Sequence, residues 1–140
     1  MVVGGSSGIG RATSLLLKSL GAHVLATGRS DTHIEETLKL DPGISFLKAS
    51  LPEDSNKVVN WVRKSVDTLH GVVFSQGIIY TEPFETFRDH ELEEMWKVNV
   101  NLPLRFCVTY SHFLKKGEVL FLCLLLMRIL ERLPLLLAMH

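Results

Sequence analysis

A two-valine run leads straight into glycines at Gly4, Gly8 and Gly10, and a helical pattern begins at once. Glycines so placed let the backbone approach a phosphate closely. Its amides and the positive end of the following helix then supply the attraction. The expected opening is therefore a nucleotide-binding strand–loop–helix unit. Gly4 should permit the tight turn, Gly8 the approach of a pyrophosphate, and Gly10 the close packing of helix on strand. Ser6 and Ser7 can add hydroxyl contacts, with Ile9 beside them. The spacing is Gly-x-x-x-Gly-x-Gly, and no Gly-Lys-Ser/Thr follows, so a nucleoside-triphosphate loop is excluded.

The rest of the pattern continues the alternation. Ile9, Ala12, Leu15, Leu16 and Leu20 recur at helical spacing, and Gly21 supplies a stop. His23–Thr27 reads as a strand, Thr32-x-x-Glu35 as a capping box opening a helix to Leu40, and Ile44–Leu47 as a third strand. Asp54 or Ser55 caps a helix with Val58, Val59, Val62, Val66 and Leu69 on one side. Gly71–Ser75 is a fourth strand, and Pro83 sits in a connecting loop. A long helix is expected over 89–114, bent at Pro103. This order predicts an α/β fold: a doubly wound parallel sheet of strand order 3-2-1-4, with a fifth strand in the tail as an option. Residues 1–117 are expected to form the nucleotide-binding domain. Residues 118–140 form a Leu-rich tail in which a strand near Val119–Leu124 and a helix broken at Pro134 are expected.

Composition narrows the function. Fifteen basic side chains balance fifteen acidic ones, so nothing draws the chain to nucleic acid. The two cysteines, Cys107 and Cys123, have no metal-ligand spacing and suit a reducing, cytoplasmic compartment. The six histidines form no ligand pair, and no metal is expected. Nine apolar residues in a row, Val119–Met127, fall short of the roughly 18–20 that span a bilayer. A buried strand or helix is the expected reading of the tail, with membrane-surface association as the lesser alternative. Trp61 and Trp96 are expected to pack helices on the sheet, Tyr110 to lie on a helix surface or at an interface, and Glu91, Glu93, Glu94 and Lys97 to form a solvated helix face with one or two i,i+3 or i,i+4 pairs.

The end of the second strand selects the dinucleotide. An acid about 20 residues past the loop would take the ribose 2′-hydroxyl of NAD. This chain has Arg29 there, followed by Ser30, and a guanidinium suits a 2′-phosphate. NADP is expected in preference to NAD.

With these residues in view, the chain resembles the classical, NADP-preferring short-chain dehydrogenases/reductases. Their Thr-Gly-x-x-x-Gly-Ile-Gly loop is matched by Val3-Gly4-Gly5-Ser6-Ser7-Gly8-Ile9-Gly10, with Val3 in place of Thr. The resemblance implies an oxidoreductase moving a hydride between NADP(H) and an alcohol or carbonyl. It implies that Ser50 and Leu51 stand where an acid and an apolar residue contact adenine. It also implies that Ser75, Gln76 and Gly77 stand in for the family's Asn-Ala-Gly wall, and that Asn99 is the supporting Asn of its catalytic helix. Assembly with a second subunit through the helix over 89–114 is a further implication. The family's Ser and Tyr-x-x-x-Lys have no counterpart, because residues 118–140 contain neither Ser nor Tyr. Tyr110 does not supply one, since Leu114 lies four residues on. The first strand is also short, which is expected to leave its neighbours underpaired. The chain is therefore expected to be a truncated member, inactive or nearly so alone. The alternative is a non-catalytic remnant that binds a nucleotide or a partner.

Overall fold

The computed structural model describes residues 1–81, 84–110 and 120–123. Its elements are β1 (Val2–Val3), α1 (Gly8–Ser19), β2 (Leu25–Gly28), α2 (Asp31–Leu40), β3 (Ser45–Lys48), α3 (Ser55–Ser65) and β4 (Gly71–Phe74). A 3-10 turn (Phe84–Thr86), α4 (Asp89–Trp96), a π-turn (Lys97–Asn101), α5 (Leu102–Tyr110) and β5 (Leu120–Cys123) follow. The five strands form one parallel sheet of order β3-β2-β1-β4-β5. The fold is the doubly wound α/β arrangement. The expected Pro83 loop, the helix residues past Tyr110 and the helix broken at Pro134 lie outside the described residues.

Several boundaries differ from the sequence expectation, each for a local reason. β2 and β3 sit one or two residues late because their register pairs Leu25 with Ser45 and Gly28 with Lys48. The cap of α2 is Ser30, whose hydroxyl accepts from His33 N at 3.3 Å, so Thr32 is already helical. The contact line of α1 runs through Gly10 and Ser14, with Leu15 and Leu17 packed beside it, while Leu16 and Leu20 are exposed. Two small residues let that helix lie close to the sheet, which turns the larger apolar positions outward. The helix expected to run unbroken from 89 is divided by the π-turn. Pro103 has no N–H to give the preceding turn, and one extra residue is accommodated just upstream.

β1 does not leave β4 underpaired. Met1 extends the ladder: its terminal ammonium donates to Gly71 O at 2.8 Å, and Val73 N donates to Met1 O at 2.8 Å. Burial holds this ammonium below its usual range, at about 6.

Two cores flank the sheet. The larger joins Val3, Leu25, Val72 and Phe74 to Val58 and Val62 of α3 and to Leu102, Phe106 and Tyr110 of α5. Phe106 meets Phe74 edge-on at 5.2 Å and stacks on Tyr110 at 3.9 Å. Tyr110 is thus a core residue, 1% exposed, because positions 102, 106 and 110 share the inner face of α5. Trp61 packs against this core, whereas Trp96 is 63% exposed and packs nothing onto the sheet. The smaller core holds Val2, Val24, Ala26, Ile44 and Val73 under α1. Among the described residues no helix is long and apolar enough to cross a membrane.

Candidate nucleotide-binding cleft

All strands are parallel, so the loops after β1, β2, β3 and β4 gather at one end of the sheet. Strand order reverses between β1 and β4, and a crevice opens there. Its volume is about 390 Å³.

The loop after β1 forms the floor. Gly4 takes a positive φ of 81°, and a Cβ there would lie 2.9 Å from Gln76 N. A Cβ on Gly10 would lie 2.0 Å from the Gly4 carbonyl oxygen and 2.9 Å from Ser75 Oγ, so α1 meets the loop at a distance only glycine allows. Gly8 opens α1, and the space where its Cβ would stand is empty. Gly4, Ser6, Ser7 and Ile9 line the crevice, whereas Gly8 and Gly10 are not among its lining residues.

The loop is tied from several sides. Gly5 N donates to Thr27 O at 2.8 Å, and Gly4 N to Thr27 Oγ1 at 3.3 Å. Ser14 Oγ donates to Gly10 O at 2.9 Å, and Thr37 Oγ1 to Ser6 O at 3.1 Å. Ser7, the N-cap of α1, makes no side-chain capping bond, and the first turn holds no acid. The first-turn amides therefore retain capacity for an anion.

Sequence reasoning did not single out Gly5, Ser14, Thr27, Gly28 and Thr37. A Cβ on Gly5 would lie 2.6 Å from Ser14 Oγ, and one on Gly28 would lie 2.4 Å from Ser6 Oγ. The glycine ending β2 was a visible signal. The roles of Ser14 and Thr37 depend on helices meeting the loop in space.

Arg29, Ser30 and His33 line the crevice beyond β2. Arg29 is exposed. Arg11, by contrast, is turned to α2: it donates to Ser6 O at 3.0 Å and pairs with Glu36 at 2.7 Å, which holds the Glu36 carboxyl below its usual range.

Ser50 and Leu51 line the wall after β3, together with Ala49, Pro52 and Glu53. Ser75, Gln76, Gly77 and Ile78 line the wall after β4. Asn99 stands behind this second wall and is not a lining residue. From the π-turn its Oδ1 accepts from Ile78 N at 3.0 Å, and its Nδ2 donates to Ile78 O at 2.7 Å. The helix face expected to be solvated is more structured. Glu91 is buried and accepts from Arg88 N at 3.0 Å, capping α4. Glu94 accepts from Tyr80 OH, which pushes that phenol up. Lys97 reaches across to Glu53 at 3.3 Å. Among the described residues no group of three or more His, Cys, Asp and Glu could hold a metal ion.

This arrangement can hold an extended anion, with amides at one end and a guanidinium beyond. The family model for short chain dehydrogenase matches residues 1–123. The L-rhamnose 1-dehydrogenase (NADP(+)) of Thermoplasma acidophilum is 32% identical over 107 residues, covering 71% of this chain and 42% of that protein. An uncharacterized oxidoreductase of Listeria monocytogenes is 29% identical over 106 residues, covering 71% of this chain and 43% of that protein. The chain thus spans less than half the length of these curated relatives. A short-chain dehydrogenase/reductase from Serratia marcescens has the same fold, with a TM-score of 0.76 at 23% identity, over 86% of this chain and 52% of that one. From its opening loop through β5, the chain belongs to the short chain dehydrogenase family.

Proposed function

We propose that this chain is an NADP(H)-binding unit of an oxidoreductase acting on an alcohol or carbonyl. The observation that carries the cofactor preference is Arg29 at the crevice, next to the loop after β1 and the uncapped start of α1. A guanidinium binds a phosphate dianion through charge-assisted, bidentate bonds. Gly4, Ser6, Ser7, Gly8 and Ile9 would hold the diphosphate, with Gly10 letting α1 pack under their loop, Arg29 and Ser30 would hold the 2′-phosphate, and Ser50 and Leu51 the adenine. Ser75, Gln76 and Gly77 would border the rest of the cofactor. When bound, NADPH supplies the hydride. The NADP(+)-linked relative supports the same reading.

Titration calorimetry of the Arg29→Ala chain tests it. NADPH affinity should fall about 10–100-fold, the scale of a charge-assisted bond, with NADH affinity nearly unchanged. Equal losses for both cofactors would remove the preference.

The chain carries no Tyr-x-x-x-Lys, Tyr110 is buried on Phe106, and Tyr80 is tied to Glu94. We therefore expect no carbonyl reduction by the chain alone, and Asn99 has a supporting role only. NADPH oxidation by the purified chain with any carbonyl would contradict this. The two-cysteine composition fits a cytoplasmic setting.

One observation favours a second subunit as partner. Leu92, Trp96, Leu104 and Val108 of α4 and α5 are all exposed. A monomer at high concentration in sedimentation equilibrium would argue against that assembly.

A further inference from the structure

Ser6 is where the loop after β1 meets both β2 and α2. It is buried, and its Oγ fills the space that a Cβ on Gly28 would need, one residue before Arg29. Its carbonyl accepts from Arg11 Nε at 3.0 Å and from Thr37 Oγ1 at 3.1 Å. The His33 carbonyl, in the first turn of α2, accepts from the same two side chains. Thr37 Oγ1 lies 2.8 Å from it and Arg11 Nη2 3.4 Å. A threonine has one hydroxyl proton, so Thr37 serves one of these carbonyls at a time. Arg11 carries separate protons on a rigid fork and serves both at once. Glu36, one turn further along α2, accepts from the same Nη2 at 2.7 Å and anchors the guanidinium.

As a partly exposed ion pair, Arg11 and Glu36 would contribute little to stability. What the fork does fix is the spacing between two parts of the crevice. Ser6 and Ser7 line it from the loop, and Arg29, Ser30 and His33 line it from the start of α2. The Ser6–Ser7 peptide is trans, so a Ser6 carbonyl aimed at α2 turns the Ser7 N–H the opposite way. A ligand that touches both parts gains when their spacing is set in advance. A ligand held mainly at one part gains much less.

We infer that Arg11 is a positioning residue, holding the loop after β1 and the start of α2 at the spacing at which one ligand carrying a diphosphate and a separate phosphate meets both. The inference rests on the dinucleotide reading above. In this role Arg11 touches no ligand. It sets the preference for NADPH through the Ser6 and His33 carbonyls, while Arg29 makes the contact.

The test is a cycle between protein and ligand on the full chain, with NADPH and NADH titrated by calorimetry. Arg11→Met removes the fork and leaves Arg29 in place. NADPH affinity should fall about tenfold, the scale of a hydrogen bond to a charged group, and NADH affinity less than about twofold. Arg11→Lys keeps the charge without the fork, and should lower the preference for NADPH about threefold. Glu36→Gln, at an exposed position, should lower it about twofold. Circular dichroism checks the folding of each variant. Equal losses for both cofactors in Arg11→Met would overturn the inference and leave the NADPH reading standing, since general damage to the fold weakens both alike. Full preference in Arg11→Lys would also overturn it, because charge alone would then suffice. If Arg11→Met does not fold, the other two variants decide, and an unchanged preference in both overturns the inference. A wild-type chain that binds neither cofactor, or both equally, would overturn the inference and the NADPH reading together.

Discussion

The first wall of the crevice, its floor after β1, and the second, after β4, are held in contrasting ways. The loop after β1 is fixed chiefly by close packing: Gly10 lies under the Gly4 carbonyl, with Ser14 tying Gly10, Thr27 tying Gly4 and Gly5, and Thr37 tying Ser6. The loop after β4 is held at Ile78 by one side chain. Asn99 holds both polar atoms of the Ile78 backbone across 21 residues of sequence. The first wall is a packing device, in which absent side chains matter most. The second is a hydrogen-bonding device that depends on one amide, and that amide is aimed by the π-turn before Pro103. A packing device fails by collision and a clamp fails by release, so the two should respond differently to mutation.

Gly10→Ala should have the largest effect. Alanine is the better helix former by about 1 kcal/mol, but its Cβ would collide with backbone 2.0 Å away. Overpacking of this kind typically costs about 3 kcal/mol, and the floor of the crevice must shift to relieve it. Urea unfolding should show the destabilisation, and NADPH binding should be lost along with it. Unchanged stability would mean the first wall is not a packing device.

A pH series probes β1, which lies between the two walls. The buried Met1 ammonium is lowered from 8.0 to about 6, so the folded state binds its proton less readily than the unfolded chain. Stability should therefore rise as pH increases from about 6 to about 8. The gain is up to about 2–3 kcal/mol at about 1.4 kcal/mol per pH unit. Acetylating the terminus should flatten that slope in urea unfolding curves. A slope that persists after acetylation would place its origin elsewhere.

Asn99→Ala should do least to the whole and most to one side. Losing the two bonds to Ile78 should cost about 1–2 kcal/mol. Hydrogen exchange should speed up at Gln76–Ile78 while the amides of Gly4–Gly10 stay protected. Equal loosening of both walls would erase the distinction between them.

Local sequence was enough to reveal the first wall. Its glycines, the apolar run before them and the helical pattern after them are contiguous, and steric rules at those positions leave few alternatives. Arg29 and the strand alternation were legible for the same reason. The second wall was not, because what Asn99 bonds depends on where the π-turn points it, and a break in the helix pattern says only that Pro103 disturbs it. The burial of Tyr110 was not legible for a related reason: whether a tyrosine on a helix is inside or outside depends on which face the sheet covers. Glu53 and Lys97, 44 residues apart, meet only because the loop after β3 and the π-turn line the same crevice.

By itself, then, the sequence determined the parallel α/β fold, the glycine loop and the cation beyond β2, because each rests on backbone sterics or on charge within a short stretch. Only the tertiary structure decided which face of α1 and α5 is buried, that Asn99 clamps Ile78, and that Glu53 faces Lys97 across the crevice. Those facts depend on contacts between segments whose separation in space no local pattern encodes.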